Sequence, residues 1–298
     1  MKNLINFQTI CWMLVSSTLF FFSCNNNEGE KANKETENKI DSSNFTLGIG
    51  NKIFIIPSPV QTAILIQKSG ASYNKAILNE IDKSNSYSTK FQKCLNLGIY
   101  GADLGYITLY EQTQDALSYF KVINNTANEL GLASAFDKTL IERFRKNLNK
   151  KDSMLSLVSV AYRASNDFLK NNERSEEAAL IVAGGWIESL HFAVNVMKTK
   201  SNEDIKRRIA EQKNTLNNLL ALLGTYQGKE EYAELLQKFS DLKSDFDKVQ
   251  YKYIYKRPVT DETNKITTIT SESEITITPE VIQTIGEKIA TIRQLIIA

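Results

Sequence analysis

The sequence is poor in three residue types that limit its chemistry. It holds four prolines, one histidine and three cysteines in 298 residues. So few cysteines and histidines leave little room for a Cys/His zinc site, and a Ser-His-Asp triad would have to use the single histidine. The prolines stand at 57, 59, 258 and 279, so the 198 residues of 60–257 contain none. Because proline breaks helix interiors, this gap favours helices.

An excess of one charge is also missing. The chain carries 36 Lys+Arg and 34 Asp+Glu, a formal net charge of +2. This balance implies no polyanion-binding surface, and no Lys/Arg stripe with interleaved aromatics occurs, so we expect no nucleic-acid partner. The sequence contains neither a Gly-x-Ser-x-Gly elbow nor a phosphate-binding loop. A hydrophobic fraction of 42% is nevertheless ordinary for a globular protein.

The N-terminus has the layout of a lipoprotein signal peptide. Lys2 gives a positive start, residues 4–22 are largely apolar, and Ser23-Cys24 is followed at once by polar residues. This layout resembles the lipobox of bacterial lipoproteins, in which the cysteine becomes the lipidated first residue. The pattern predicts a signal peptide over 1–23 and lipidation of Cys24, which would anchor the chain to a membrane. An uncleaved transmembrane anchor is the alternative, because the apolar stretch can just span a bilayer.

The rest of the chain divides into a tether and one folded domain. Residues 24–44 are polar and low in complexity, which predicts a disordered tether beginning at the lipidated cysteine. Residues 45–298 are expected to form a single α-helical domain. Cys11 falls in the predicted signal peptide, so Cys94 is the one remaining thiol, and its apolar surroundings favour a buried core residue over a nucleophile.

Helix start signals recur along the domain. Ser58-Pro59 and Thr278-Pro279 combine a capping side chain with proline at the first helical position. Short connections favour antiparallel neighbours, so the predicted fold is mainly α, a multi-helix antiparallel array or bundle. Alternating residues over 253–278 predict a short β-hairpin before the C-terminal helix, which we expect to pair with the apolar run at 53–56. The predicted helices lie near 59–69, 87–110, 112–130, 134–149, 153–171, 175–199, 203–223, 229–251 and 279–296.

Two predicted helices carry unusual glycines. Three glycines inside one helix are unfavourable by about 1 kcal/mol each relative to alanine, so another backbone or a ligand is expected to approach closely. Those in the first helix recur every three or four residues and share one face. A tight helix crossing is the favoured interpretation, and a ligand groove is the alternative. The glycines are Gly98, Gly101 and Gly105 in the first helix and Gly184 and Gly185 in the second.

The second of these helices also carries a polar stripe. Glu188, His191 and Asn195 are spaced i, i+3, i+7 in an otherwise apolar segment. An unpaired buried charge is too unfavourable, so the stripe must face polar partners, for which Asp103 and Arg163 are the candidates. Glu-x-x-His also occurs in di-iron bundles, but one histidine cannot complete that site, so no metal or cofactor is expected. A buried hydrogen-bonded network is favoured over a polar ligand pocket.

The mature sequence resembles a family of uncharacterised Bacteroidota lipoproteins. The resemblance rests on the lipobox, on Ile56-Pro57-Ser58-Pro59 and on Gly101-Ala102-Asp103-Leu104-Gly105-Tyr106. It implies a location in the bacterial cell envelope and no known activity. We expect a lipid anchor at the outer membrane that faces the periplasm, and a position on the cell surface is the alternative. We therefore expect a non-catalytic interaction or scaffolding module that binds an envelope protein. The alternative is a small-molecule-binding protein or enzyme with a polar pocket near Asp103, Glu188 and His191.

Overall fold

The computed structural model describes four stretches of the chain, residues 45–49, 52–56, 58–136 and 138–298. The predicted signal peptide over 1–23 and the tether over 24–44, including Cys24, lie outside the described residues. Within those residues the chain forms nine α-helices. They are α1 (Pro59–Lys68), α2 (Lys90–Leu109), α3 (Thr113–Glu129), α4 (Lys138–Lys146), α5 (Lys151–Asn171), α6 (Ser175–Thr199), α7 (Glu203–Leu223), α8 (Glu230–Phe246) and α9 (Pro279–Ile297).

Capping side chains fix several helix starts. Ser58 Oγ accepts a hydrogen bond from the Val60 amide at the start of α1, and Thr278 caps α9 in the same way. Thr89 and Gln92 form a reciprocal capping box at the start of α2. The mainly helical fold is confirmed, and most predicted helix ends lie within three residues of the observed ones.

The strands correct two predictions. The chain forms β1 (Phe45–Ile49), β2 (Lys52–Ile56), β3 (Gln250–Ile254), β4 (Val259–Asp261), β5 (Ile266–Thr268) and β6 (Glu272–Thr276). The expected pairing of 53–56 with 253–278 is wrong, because β2 pairs antiparallel with β1. Two residues separate these strands, so loop closure favours the local partner over a distant one. The predicted helix over 229–251 is also too long, because α8 ends at Phe246 and β3 begins at Gln250.

The β-hairpin before α9 is a two-stranded ribbon interrupted in the middle. β3 pairs with β6 and β4 pairs with β5, both antiparallel, around a turn over residues 262–265. Between the two ladders, Thr270 Oγ1 donates to the Arg257 carbonyl and Ser271 Oγ donates to the Lys256 carbonyl. We name residues 250–276 the β-arm.

Helices α2 and α6 cross at the centre of the domain. A Cβ atom on Gly98 would lie 1.9 Å from the Ile181 carbonyl oxygen, and one on Gly184 would lie 1.9 Å from the Leu95 carbonyl oxygen. The two backbones are therefore in direct contact, as the close-packing interpretation of these glycines predicts. One described helix, α6, is long and apolar enough to cross a membrane, but 83% of its most apolar window is buried inside the array.

Candidate functional site

A buried ion pair joins α6 to α9. Glu188 is fully buried. The Arg293 guanidinium donates from Nε to Glu188 Oε2 at 2.6 Å and from Nη2 to Oε1 at 2.8 Å. Nη2 also donates to the Ile77 carbonyl at 3.0 Å. The bidentate contact between Arg293 and Glu188 supplies the hydrogen bonds that a buried carboxylate requires.

A second carboxyl group joins this pair from α2. Asp103 is also fully buried and lies next to Glu188, and its Oδ1 has no hydrogen-bond partner among the described residues. The Asn79 amide donates to Asp103 Oδ2 at 3.3 Å. Burial, reinforced by the negative charge of Glu188, raises the pKa of Asp103 well above its usual range. The raised pKa favours the protonated, neutral form of Asp103 beside the Glu188–Arg293 ion pair.

Asn79 connects the cluster to the surrounding helices. Its side-chain amide donates to the Tyr87 hydroxyl at 3.1 Å and to Asn96 Oδ1 at 3.2 Å. Its carbonyl accepts a hydrogen bond from the Tyr119 hydroxyl at 2.6 Å. Asn96 in turn donates to the Ile296 carbonyl in the last turn of α9. Asn79 lies between two short 3-10 helices, Lys75–Ile77 and Ile81–Asn85, in a segment without an α-helix. The hydrogen bonds of Asn79 therefore hold this segment against the surrounding helices.

His191 and Asn195 lie at the edge of this network and are both half-buried. The Asn195 side-chain amide donates to the His191 carbonyl at 2.7 Å and lies 3.2 Å from His191 Nδ1. His191 also hydrogen-bonds to the Ile77 carbonyl, the group that accepts from Arg293. Burial lowers the pKa of His191 to about 4, so the ring is neutral near pH 7.

The structure brings together four of the five predicted polar residues. Asp103 and Glu188 are in contact, and His191 with Asn195 reaches them through the Ile77 carbonyl. Arg163 lies half-buried on α5, and the guanidinium that binds Glu188 comes from Arg293 instead. Sequence reasoning missed the other members of the network, which are Asn79, Asn96 and Arg293.

One signal for Arg293 is present in the sequence. Gly286, Ile289, Arg293 and Ile296 are spaced three or four residues apart, and all four are buried on α9. A cation on the apolar stripe of a helix implies a buried anion elsewhere, as Glu188 implies a buried cation. No comparable periodicity marks Asn79, because it lies between helices.

The remaining predicted glycines have different surroundings. A Cβ atom on Gly101 would lie 2.4 Å from the Tyr162 hydroxyl oxygen, which donates to the Gly98 carbonyl at 2.8 Å. A Cβ atom on Gly185 would lie 3.2 Å from the same hydroxyl and from Pro59 Cγ. Gly105 is roomier, because its nearest contact would be Val60 Cγ2 at 3.5 Å. The close approach of α2 and α6 therefore requires glycine at Gly98 and Gly184, where a side chain would overlap the other helix's backbone. It does not require glycine at Gly105.

The chemistry open to this cluster is limited by its burial. Asp103 and Glu188 have no exposed surface, so a solvent-borne substrate cannot reach them in this conformation. Burial also raises the pKa of the Cys94 thiol to about 12, which keeps it protonated and unreactive. Across the described stretches, no group of three or more His, Cys, Asp and Glu side chains is placed to hold a metal ion.

Comparison with known proteins gives no relative. No family model matches the chain, and neither the curated proteins nor the solved structures contain a significant match. Functional inference therefore rests on this chain's own residues.

The neutral state of Asp103 predicts a pH dependence of stability. In the unfolded chain an aspartate has a pKa of about 3.9, so at pH values between this and the raised pKa of the folded state, folding takes up a proton at Asp103. Stability therefore falls as pH rises toward the raised pKa, by up to about 1.4 kcal/mol per pH unit. Asp103→Asn keeps a neutral donor at this position, and we expect it to remove this decline in denaturant-derived unfolding free energy as pH rises.

Asp115 provides the matched control for this measurement. Burial alone would raise its pKa, but hydrogen bonds from Lys75 and Tyr73 outweigh that effect and lower the pKa. It is therefore ionised in both states above pH 7, and Asp115→Asn should leave the decline unchanged. His191 affects the pH dependence of stability only at lower pH. Because its pKa is lowered to about 4 in the folded protein, stability falls as pH falls from about 6.5 toward 4. An unaltered decline in Asp103→Asn would contradict a neutral Asp103.

Proposed function

We propose that this protein is a lipid-anchored component of the bacterial cell envelope that acts as a non-catalytic interaction module. We further propose that the β-arm binds an extended segment of a partner protein. The evidence for the lipid anchor is the lipobox at Cys24. The evidence for a partner protein is the exposed surface of the β-arm.

The observation that carries this proposal is the distribution of exposed apolar side chains. Seven large hydrophobic residues are exposed among the described residues, and six of them lie in the β-arm. The most exposed are Tyr253 at 65%, Tyr255 at 69% and Ile269 at 75%. Exposed apolar side chains concentrated on one element mark a binding surface more often than a structural one. The six residues are Tyr251, Tyr253, Tyr255, Val259, Ile266 and Ile269.

The base of the β-arm is fixed to the helical array. The Tyr251 hydroxyl donates to the Ala210 carbonyl on α7 at 2.8 Å, and the Lys213 ammonium lies 5.8 Å from the Tyr251 ring centroid. Ile277, just after the arm, is buried in the core. The β-arm is therefore held in place at its base, while its exposed side chains remain accessible to a partner.

The charges of the β-arm favour a protein over an anionic surface. Residues 250–276 contain four basic and four acidic side chains, so the arm is neutral overall. Lys252 pairs with Glu274 at 3.6 Å, and Lys256 pairs with Glu272. An anionic membrane or nucleic acid would require an excess of positive charge.

Free strand edges favour an extended segment as the bound element. Each ladder of the β-arm has only two strands within the described part of the chain, so both its outer edges lack a neighbouring strand. Such edges accept an added strand through main-chain hydrogen bonds, with exposed side chains supplying specificity. The alternative pocket near Asp103, Glu188 and His191 has less support, because both carboxyl groups are fully buried and closed to solvent.

Site-specific photocrosslinking in the native host tests this proposal. A photoreactive phenylalanine at Tyr255 should give one discrete adduct with a second, different protein. The same group at Leu117, which is 43% exposed on α3, should give no such adduct. Adding Tyr253→Ser and Ile269→Ser should abolish the Tyr255 adduct without lowering Tm, because both side chains are exposed.

Three results would overturn the assignment of a partner protein to the β-arm. They are no adduct at Tyr255, an adduct formed equally at Leu117, and an adduct made only with lipid or with a second copy of this chain. Cys24→Ser separately tests the anchor, since it should release the protein from membranes while leaving the folded domain intact.

A further inference from the structure

A pocket that is partly open to solvent lies where α3 and α5 begin. Its volume is about 160 Å³, which is enough for several water-sized groups. It shares no lining residue with the carboxyl cluster or with the β-arm. The residues that the argument uses are Thr108 near the end of α2, Glu111 in the following loop, Thr113 on α3 and Lys151 on α5.

Two helix N-termini meet at this pocket. Thr113 is the first residue of α3 and Lys151 is the first residue of α5, and both line the pocket. At neither start does a first-turn amide donate a hydrogen bond to the side chain of the N-cap residue. Each start therefore keeps the partial positive charge of its unsatisfied amide groups, which favours an anion nearby.

Thr108 supplies a second, independent indication of a ligand. It lines the pocket and is only 4% exposed. A threonine inside a helix commonly donates to a carbonyl in the preceding turn. Thr108 Oγ1 instead has no hydrogen-bond partner among the described residues. Because a buried hydroxyl without a partner is unfavourable, Thr108 favours a ligand in the pocket that accepts its proton.

The nearby acids leave the Lys151 ammonium available to such a ligand. Lys151 lies 4.0 Å from Glu111, whose side chain is mostly exposed, so water screens this pair. Asp115 and Asp152 lie in the first turns of the two helices, but neither lines the pocket. Asp115 pairs with Lys75 instead. Among the described residues, the wall therefore combines one ammonium and two positive helix ends with one exposed carboxylate.

We propose that this pocket binds the phosphate group of inorganic phosphate or of a small phosphomonoester. The Lys151 ammonium and the first-turn amides of α3 and α5 stabilise its negative charge, and the Thr108 hydroxyl donates to one of its oxygens. A phosphate group offers at least three acceptor oxygens, which suits donors from three helices better than the two oxygens of a carboxylate. The site is independent of the β-arm, so either proposal can fail without the other.

Calorimetric titration of the full chain at constant ionic strength tests this site. We expect saturable binding of one inorganic phosphate or one glycerol 3-phosphate per chain, and the tighter of the two identifies the source of the group. Acetate should bind at least about tenfold more weakly, because it offers fewer acceptor oxygens.

Charge substitutions at the pocket should act in opposite directions. Lys151→Met should weaken phosphate binding about tenfold, because a hydrogen bond between charged groups is lost. Glu111→Gln removes a repelling charge and should strengthen binding by up to about fivefold. Lys150→Met is the matched control, because it removes the same charge from an exposed neighbour that does not line the pocket, and its affinity should equal that of the wild type.

Paired substitutions test the Thr108 hydroxyl. Thr108→Val removes the hydroxyl and keeps the shape of the side chain, so it should weaken phosphate binding about tenfold without lowering Tm. Thr108→Ser keeps the hydroxyl and should bind phosphate as the wild type does.

Absence of saturable binding of both phosphates would overturn the proposal, as would equal binding of acetate. Equal losses in Lys151→Met and Lys150→Met would show a general charge effect and not a site. Weaker binding in Glu111→Gln, or unchanged affinity in Thr108→Val, would also contradict a phosphate at this pocket.

Discussion

Arg293→Met is expected to lower the free energy of unfolding by about 3–5 kcal/mol, because it leaves Glu188 as an uncompensated buried charge. The guanidinium supplies both hydrogen bonds to the Glu188 carboxylate and a third to the Ile77 carbonyl. For a domain of this size the loss corresponds to a fall in Tm of about 6–20 °C. Thermal and urea unfolding of the purified chain measure it.

Two further variants separate pairing from simple loss of a side chain. Glu188→Gln combined with Arg293→Met removes both charges, and it should recover much of the stability lost in Arg293→Met. Arg207→Met removes an exposed partner of Asp204 that lies 3.4 Å away, and it should change stability by less than about 1 kcal/mol. If Arg293→Met behaves like Arg207→Met, the buried pair has no structural importance.

Gly98→Ala is expected to destabilise the domain by about 3 kcal/mol or more. The added methyl group would lie 1.9 Å from the Ile181 carbonyl oxygen, so α2 and α6 would have to separate. Gly184→Ala should act similarly, since its methyl group would lie 1.9 Å from the Leu95 carbonyl oxygen. Chemical denaturation gives the change in unfolding free energy.

Gly105→Ala is the matched control, because it makes the same substitution in the same helix. Its methyl group would meet only Val60 Cγ2 at 3.5 Å, an ordinary contact. Alanine is favoured over glycine inside a helix, so stability should stay constant or rise by up to about 1 kcal/mol. Equal losses at Gly98 and Gly105 would show that backbone contact between the helices is not the cause.

Local signals in the sequence were sufficient to predict most of the helices. Ser58-Pro59 and Thr278-Pro279 mark helix starts through bonds within a few residues, so they can be recognised without tertiary structure. The predicted end of α8 is wrong because no glycine or proline lies between Phe246 and the start of β3 at Gln250. The change to strand is marked only by the alternating tyrosines from Tyr251 onward.

The polar cluster was predictable in part. Glu188 and Asp103 stand out because each is an acid within an apolar segment. Their proximity and their cation depend on long-range packing, since 105 residues separate Glu188 from Arg293. Asn79 could not be identified, because its role comes from the position of a loop between two short turns and not from a periodic pattern.

The position of Arg293 also affects the order of folding during synthesis. A chain emerges N-terminus first, so Asp103 and Glu188 are synthesised well before the cation that completes their network. At 5–20 residues per second, the 105 residues between Glu188 and Arg293 take about 5–20 s. During that interval the central crossing of α2 and α6 lacks its counter-charge, which delays completion of the core.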